Sequence, residues 1–238
     1  MEILQDFADP GGGGEMLGRY VHYLAGITWI GMLYYFNLVQ TPFFGTELGG
    51  QARGAMMRGL VPNALWWFRW GAMFTFLTGW TYALLNVLWF GAGASYLVLI
   101  LTGGTIGSVM WANVWFVIWP IQQIAIASAE KVAAGGAADP QAAARAPIAA
   151  RASRTNTLFS LPMLVFMATA SHLTGLVEQA EPNYHLYFAL VLALVAVVEA
   201  NIFVGVPATQ KPLGTVSGTV HAGVGLAVVL FAAASLLL

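Results

Sequence analysis

Four histidines are the residues of this chain best suited to do chemistry: His22, His172, His185 and His221. His22 lies early in one apolar segment and His172 lies late in a segment of opposite direction, so their side chains should reach the same depth. A neutral imidazole is a competent iron ligand, and two at one depth can hold a single haem between two helices. This arrangement predicts His22 and His172 as the axial ligands of a haem b.

Small residues surround both predicted ligands. Ala25 and Gly26 follow His22 at helical spacings of three and four, and Gly175 follows His172 at a spacing of three. Such residues leave room for the edge of a porphyrin, so Gly26 is also predicted to contact the cofactor. Small residues equally allow helices to approach closely, and an interfacial histidine can simply form a hydrogen bond between helices.

The other two histidines lie at different depths. His221 is about seven residues, or roughly 10 Å, inside the last apolar segment. It could ligate a second, inner haem or donate to a quinone headgroup, but pairing with Glu199 is the interpretation that we favour. His185 is expected in water at the outer interface, where it is the main alternative to His172 as a ligand.

The composition indicates which elements position these residues. Of 238 residues, 8% are charged, 59% are hydrophobic and 13% are aromatic, whereas soluble domains are about 25% charged. This excludes a soluble enzyme and a disordered chain, and a net charge of -1 excludes a nucleic-acid-binding protein. The lack of cysteine excludes disulfides, iron–sulfur clusters, thiolate zinc sites and covalently attached haem c. The remaining class is an integral membrane protein surrounded by lipid.

Long, continuous apolar runs predict an all-α bundle with six transmembrane helices in one domain covering residues 1–238. The six runs are 17–39, 64–90, 95–121, 158–176, 184–206 and 213–238.

Charges in the connections predict the orientation. One side of the membrane receives eight cations and the other only Arg19, so the positive-inside rule places both termini outside, in the periplasm of a bacterium. Residues 1–16 then form a periplasmic segment, and residues 122–157 form a cytoplasmic loop that could include a surface helix on anionic lipid. The predicted location is the bacterial inner membrane. The eight cations are Arg53, Arg58, Arg69, Lys131, Arg145, Arg151, Arg154 and Lys211.

Residues 111–122 (Trp-Ala-Asn-Val-Trp-Phe-Val-Ile-Trp-Pro-Ile-Gln), residues 155–162 (Thr-Asn-Thr-Leu-Phe-Ser-Leu-Pro) and His172 resemble the membrane domain of the PuuD family of bacterial urate oxidases. The pattern from His22 to Trp29-Ile30-Gly31 is similar to the same family and, more loosely, to the CopD copper-resistance and HemJ membrane proteins. The resemblance implies a periplasm-facing redox domain that passes electrons to cytochrome c.

The chain departs from that family at several points. It ends at Leu238 without the cytochrome c module that many members carry, and Thr155 stands where members commonly have a histidine. Gly103-Gly104 and Glu199-Ala200 also occupy regions in which the family tends to place histidines. Because His22 and His172 are retained, the resemblance favours a haem site over urate chemistry.

Three functions follow from these patterns. The first is a b-type cytochrome-like redox protein that exchanges electrons with a periplasmic or partner cytochrome. The second is a non-catalytic subunit of a larger respiratory or photosynthetic membrane complex. The third is urate oxidation with an external cytochrome c as the electron acceptor. A transporter is less favoured, because matching halves with interrupted helices are not evident.

Overall fold

The structure, a computed structural model, describes residues 12–85, 87–88, 93–173, 175 and 181–238, and all regular structure in these residues is helical. The predicted all-α class is therefore confirmed. The α-helices are, in chain order, α1 (Gly13–Tyr34), α2 (Thr41–Phe44), α3 (Glu47–Arg58), α4 (Leu60–Leu85), α5 (Ala94–Ala112), α6 (Trp119–Ala133), α7 (Pro140–His172), α8 (Tyr184–Val204), α9 (Pro207–Gln210) and α10 (Val216–Leu237).

Two π-helical segments join helices without interrupting them. Tyr35–Gln40 links α1 to α2, and Asn113–Ile118 links α5 to α6. Each segment places a buried asparagine against α7: Asn37 donates to the Ser153 hydroxyl over 2.7 Å, and Asn113 donates to the Asn156 side chain over 3.0 Å. Single turns of π-helix often occur at functional positions, and here both turn an amide toward the central helix.

Helix α7 is the centre of the bundle and contacts α1, α5, α6, α8 and α10. Glycines set the distances of closest approach. A Cβ at Gly71 of α4 would lie 3.0 Å from the Trp29 backbone nitrogen of α1, and a Cβ at Gly223 of α10 would lie 2.7 Å from the Leu158 carbonyl oxygen of α7. Small residues at helix contacts are typical of membrane bundles, where dispersion forces replace the hydrophobic effect between helices.

Pro162 explains why the Leu158 carbonyl is available to α10. Proline has no backbone N–H, so the usual helical bond from position 162 to the carbonyl at position 158 is absent. The backbone of Gly223 lies directly over this carbonyl. A weak Cα–H contact can partly satisfy the freed oxygen at such a short distance.

Three helical stretches of the described chain are long and apolar enough to cross a membrane: Ala94–Ala133, Tyr184–Val204 and Val216–Leu237. They coincide with three of the six predicted spans, and the other three, like the outside location of the termini, stay predictions. Large apolar side chains project outward from α8 and α10, with Val204 79% and Leu236 78% exposed. Such surfaces are typical of helices in contact with lipid. Residues 1–11 and parts of the predicted spans (86, 89–90, 174 and 176) lie outside the described residues.

The segment predicted as a loop, 122–157, is helical except at residues 134–139. Asp139 caps α7 by accepting a hydrogen bond from the Gln141 backbone N–H over 2.8 Å, and Pro140 occupies the first helical position, where its missing N–H costs nothing. Gly135, with a φ of 86°, makes the turn between α6 and α7. The alanine-rich composition and scattered cations of this segment predicted a loop. In the structure, the segment instead extends α6 and α7.

Candidate functional site

A cavity of about 510 Å³ lies between α1, α4, α5 and α7. Its lining is mostly apolar, with a few polar side chains from α1, α4 and α5. This volume and this lining are typical of sites for small organic ligands and cofactors.

His22 is the imidazole of this cavity. Its Nδ1 lies 3.0 Å from the Thr78 hydroxyl of α4, and that hydroxyl donates its single hydrogen to the Phe74 carbonyl over 2.6 Å. The Thr78 oxygen can therefore only accept from the imidazole, so in the neutral ring Nδ1 carries the hydrogen and Nε2 keeps its free lone pair. The ring is thus fixed in the tautomer that ligates a metal through Nε2.

The position of the His22 ring also depends on α4. A Cβ at Gly79 would lie 2.9 Å from the His22 Cε1, so the absence of a side chain at Gly79 makes room for the imidazole. The ring makes a further hydrogen bond to the backbone of Thr75. Helix α4 therefore supplies both the space and the acceptors that orient His22.

The wall opposite α1 is formed by α5 and α7. Met163 and Met167 of α7 line the cavity and pack on glycines of α5, where a Cβ at Gly107 would lie 3.5 Å from the Met163 sulfur. Gly104 also lines the cavity, and a Cβ there would meet no atom within 4 Å. The open space over Gly104 can accept the edge of a flat ligand.

A polar cluster closes the end of the cavity near the start of α1. Arg19 pairs with Glu15 over 2.7 Å, and the Tyr82 hydroxyl donates to Glu15 over 3.0 Å and bonds Arg19 and Tyr96. Three of these residues, Arg19, Tyr82 and Tyr96, line the cavity. The cluster places a guanidinium where it can meet a carboxylate of a bound ligand.

The cavity opens sideways between α1 and α7. Tyr23 and Ile27 of α1 and Leu164 of α7 line it, yet they are 63%, 69% and 44% exposed. A bilayer around the bundle would therefore face this opening directly.

The predicted site residues do not all lie at the cavity. His22 and Gly26 line the cavity. His172, the last residue of α7, is exposed and absent from the lining, whereas the neighbouring Ser171 does line it. His185 and His221 are exposed on α8 and α10. The structure brings His22 and Gly26 into one site but adds none of the other three histidines to it.

The favoured pairing of His221 with Glu199 is wrong. The His221 Nδ1 lies 2.7 Å from the Ser217 carbonyl and 3.2 Å from its hydroxyl, both in the same helix. Glu199 instead accepts a hydrogen bond from Asn113 over 2.9 Å. An exposed histidine bonds its own preceding turn at no cost in packing, so it does not need the distant carboxyl.

Sequence reasoning missed the residues that support His22. Gly71, Thr75, Thr78 and Gly79 follow one another at helical spacings of four, three and one, which marks a narrow face of small residues on α4. That face was the signal that α4 packs against α1. Met163 and Met167 have the spacing of one α7 face, but no local signal distinguishes them from core methionines.

No group of three or more histidine, aspartate or glutamate side chains among the described residues could hold a metal ion. A lone imidazole is sufficient as a ligand only when the metal brings most of its own coordination, as iron does in a haem. The residues at the site fit such a group: a free Nε2, a wall with open space over Gly104, and a guanidinium at one end.

Together, these observations define a helical bundle with three helical stretches apolar enough to cross a membrane and with a cavity lined by His22. The sequence pattern of the family described as Urate oxidase N-terminal matches residues 94–233, more than half of the chain. The chain belongs to the urate oxidase N-terminal family. The matched range begins at α5 and ends within α10, so α1 with His22 and α4 lie outside it. Neither a curated protein nor a solved structure matches the chain.

Proposed function

We propose that this protein is an integral membrane redox protein that holds a haem b in the cavity and exchanges electrons with a periplasmic or partner cytochrome c. The observation that carries this proposal is the contact of the His22 Nδ1 with the Thr78 hydroxyl in a residue that lines the cavity, which leaves Nε2 as the nitrogen for a metal. A bound haem would supply one-electron chemistry, while the protein supplies ligation, orientation and dielectric.

The chain's own residues would divide the binding task. His22 would provide one ligand nitrogen, with Thr78 as the acceptor that raises its basicity. Arg19, which has a side chain 50% exposed, would meet a carboxylate at the cavity end. Two residues are candidates for a second ligand: His172, the prediction from sequence, and Met167, which lines the cavity.

We further propose that the bundle spans a bacterial inner membrane six times, with both termini outside. The six spans would be α1, α4, α5 with α6, α7, α8 and α10. The shortest of them, α8, has 21 residues, or about 31 Å of helix, which matches a hydrocarbon core of about 30 Å. Membrane lipid is then the solvent of the exposed apolar faces.

The test is the reduced-minus-oxidised absorption spectrum of the purified protein. We expect haem b bands that His22→Ala removes, whereas His185→Ala and His221→Ala, at exposed positions, serve as controls and leave the bands intact. His172→Ala and Met167→Leu, measured in parallel, identify the second ligand. An intact protein without haem bands, or bands that His22→Ala leaves unchanged, would rule out the proposal.

The family match favours a second candidate, urate oxidation with an external cytochrome c as acceptor. The cavity combines a cation, Arg19, with aromatic side chains such as Trp80, features that suit a small planar acid. Urate-dependent reduction of cytochrome c by membranes containing the chain would support this candidate. No such reduction by protein with a normal haem spectrum would eliminate urate and leave the first proposal standing.

A further inference from the structure

We propose that Glu199 is a proton-exchange site that takes up a proton from the side at the C-terminal end of α8 when the cavity cofactor gains an electron. The coupling of proton uptake to an electron on the cofactor rests on the proposed function. The step is balanced: the electron enters the cofactor, a proton from water converts the Glu199 carboxylate to the neutral acid, and both leave on reoxidation.

A chain of amides holds the Glu199 carboxyl. Asn113, 2% exposed, donates one N–H to the Glu199 Oε2 over 2.9 Å and the other to the Asn156 Oδ1 over 3.0 Å. Asn156, fully buried, donates to the Met110 carbonyl over 2.9 Å. The Asn113 amide thus connects its own π-helical segment to α7 and α8, and the orientation of each amide is fixed by its partner.

The same chain leads back toward the cavity. Ser108 lines the cavity, and the Met110 carbonyl that anchors the amides is two residues further along α5. Two residues correspond to about 3 Å of helix. Since charges interact strongly where the effective dielectric constant is low, an electron in the cavity would raise the affinity of Glu199 for a proton.

No cation neutralises Glu199 within the part of the chain that the structure describes. Helix α8 packs against α5, α7, α9 and α10. Among these, α5 contributes no charged residue, α7 carries Arg145, Arg151, Arg154 and the exposed His172, Lys211 follows α9, and His221 of α10 is exposed. The Arg151 Nε donates to the Ile202 carbonyl over 2.8 Å.

The surroundings of Glu199 favour a proton over a metal ion. Alkali and alkaline-earth cations need several oxygen ligands, whereas the group that faces this carboxyl is an amide N–H. An unpaired carboxylate in an apolar environment is costly, so the neutral acid is the stable alternative. The Asn113 N–H offsets part of the cost of the carboxylate, and an electron in the cavity would shift the balance toward the neutral acid.

Polar side chains gather at the end of α8 that is nearer to Glu199. The carboxyl lies five residues, or about 7 Å of helix, before Val204. Asn201, two residues closer to the end, exchanges hydrogen bonds with Thr209 at 2.6 and 3.1 Å, and its backbone carbonyl accepts one from the Gln210 side chain over 2.8 Å. The Glu199 carboxyl thus lies within about two helical turns of a polar surface from which it can take up a proton.

The experiment is redox-difference infrared spectroscopy on protein whose haem content has first been measured by absorption. Reduction is expected to produce a carboxylic-acid C=O band that shifts in D₂O. Glu199→Gln, which keeps an acceptor for Asn113, should abolish this band, and Glu130→Gln, a change of an exposed carboxylate, should leave it unchanged. Glu199→Asp should keep an acid band at a shifted frequency.

The reduction potential provides a second readout. In the native protein it should fall with rising pH by up to about 59 mV per tenfold change in proton concentration, and in Glu199→Gln this slope should disappear. Normal haem spectra with identical infrared bands and slopes in the native and Glu199→Gln proteins would overturn the inference and leave the proposed function intact. Absence of haem is detected before either measurement and contradicts the proposed function instead.

Discussion

The hydroxyl groups of Tyr34 and Ser160 lie 2.9 Å apart and join α1 to α7. Asn37 and Ser153 make a second connection deeper along the same pair, over 2.7 Å. Since the residue number rises in α1 as it falls in α7, the two helices are antiparallel. Continued outward from Tyr34 and Ser160, this register places Ser171 and His172 about level with His22. The two helices are thus joined at one end and line a cavity at the other.

Thr78→Val should weaken cofactor binding by removing the acceptor that orients the His22 ring. Loss of such a supporting hydrogen bond typically costs 10- to 100-fold in metal affinity or activity, so we expect a fall of that order in haem affinity. Haem titration of the cofactor-free protein measures it. Thr28→Val is the matched control, because the Thr28 hydroxyl only bonds the Leu24 carbonyl of its own helix; equal affinity in the two variants would contradict the role of Thr78.

Gly104→Leu should reduce cofactor content by filling the cavity. The Cβ itself meets no atom within 4 Å, so the larger side chain occupies ligand space without forcing the backbone apart. Gly225→Leu on α10 is the control, because its Cβ also meets nothing within 4 Å but lies away from the cavity. Haem per protein, measured by absorption, should fall in the first variant and stay constant in the second. A full complement of haem in Gly104→Leu would place the cofactor elsewhere.

Gly223→Ala should destabilise the bundle. The new Cβ would lie 2.7 Å from both the Leu158 carbonyl oxygen and the Leu161 Cδ1, so α10 must move away from α7. Overpacking of this kind costs about 1–3 kcal/mol, which should lower the thermal midpoint of the detergent-solubilised protein. Gly225→Ala adds the same methyl group in open space and should leave the midpoint unchanged; a similar loss in both variants would point to helix propensity instead of close packing.

Asn156→Ala should also be destabilising, by about 1–3 kcal/mol, because it leaves one side-chain N–H of the buried Asn113 without its acceptor and removes the amide donor from the Met110 carbonyl. Denaturation in mixed detergent micelles provides the measurement. Asn201→Ala removes a comparable amide from an exposed position near the end of α8, and its effect should be smaller. If Asn201→Ala were less stable than Asn156→Ala, burial of the amide would not determine the loss of stability.

Single cysteines can test the six-span topology, since the chain has none of its own. Glu181→Cys, before α8, should react with a membrane-impermeant maleimide in intact spheroplasts. Ala137→Cys, in the turn between α6 and α7, should react only after the membrane is opened. The reverse labelling pattern would show that the orientation is opposite to the predicted one. Reaction of both positions in intact spheroplasts would show that α7 does not cross the membrane.

Composition and local spacing were sufficient for the helical class. They also indicated His22 and Gly26, which line the cavity, while their contact with a cofactor stays a prediction. They could not give the partners of His22, because Thr78 and Gly79 come from a helix whose contact with α1 is tertiary. The depth of His172 along its helix could be counted from the sequence, but depth alone did not predict whether its side chain lines the cavity. The direction in which a residue at the end of a helix faces depends on packing.

The segment 122–157 shows a different limit. Its scattered cations and small residues suggested a loop, yet alanine is the strongest helix former and Asp139-Pro140 is a recognisable helix start. Those local signals were present and outweigh composition. By contrast, no local signal could have joined Asn113 to Glu199, which lie 86 positions apart in the chain.

The sideways opening framed by Tyr23, Ile27 and Leu164 has a consequence for assembly. A hydrophobic ligand dissolved among the acyl chains could reach His22 without crossing the aqueous phase. The polypeptide can therefore be inserted into the membrane first and bind the ligand afterwards. Loading would then depend on how strongly the ligand partitions into the surrounding lipid and on how tightly acyl chains pack at that gap.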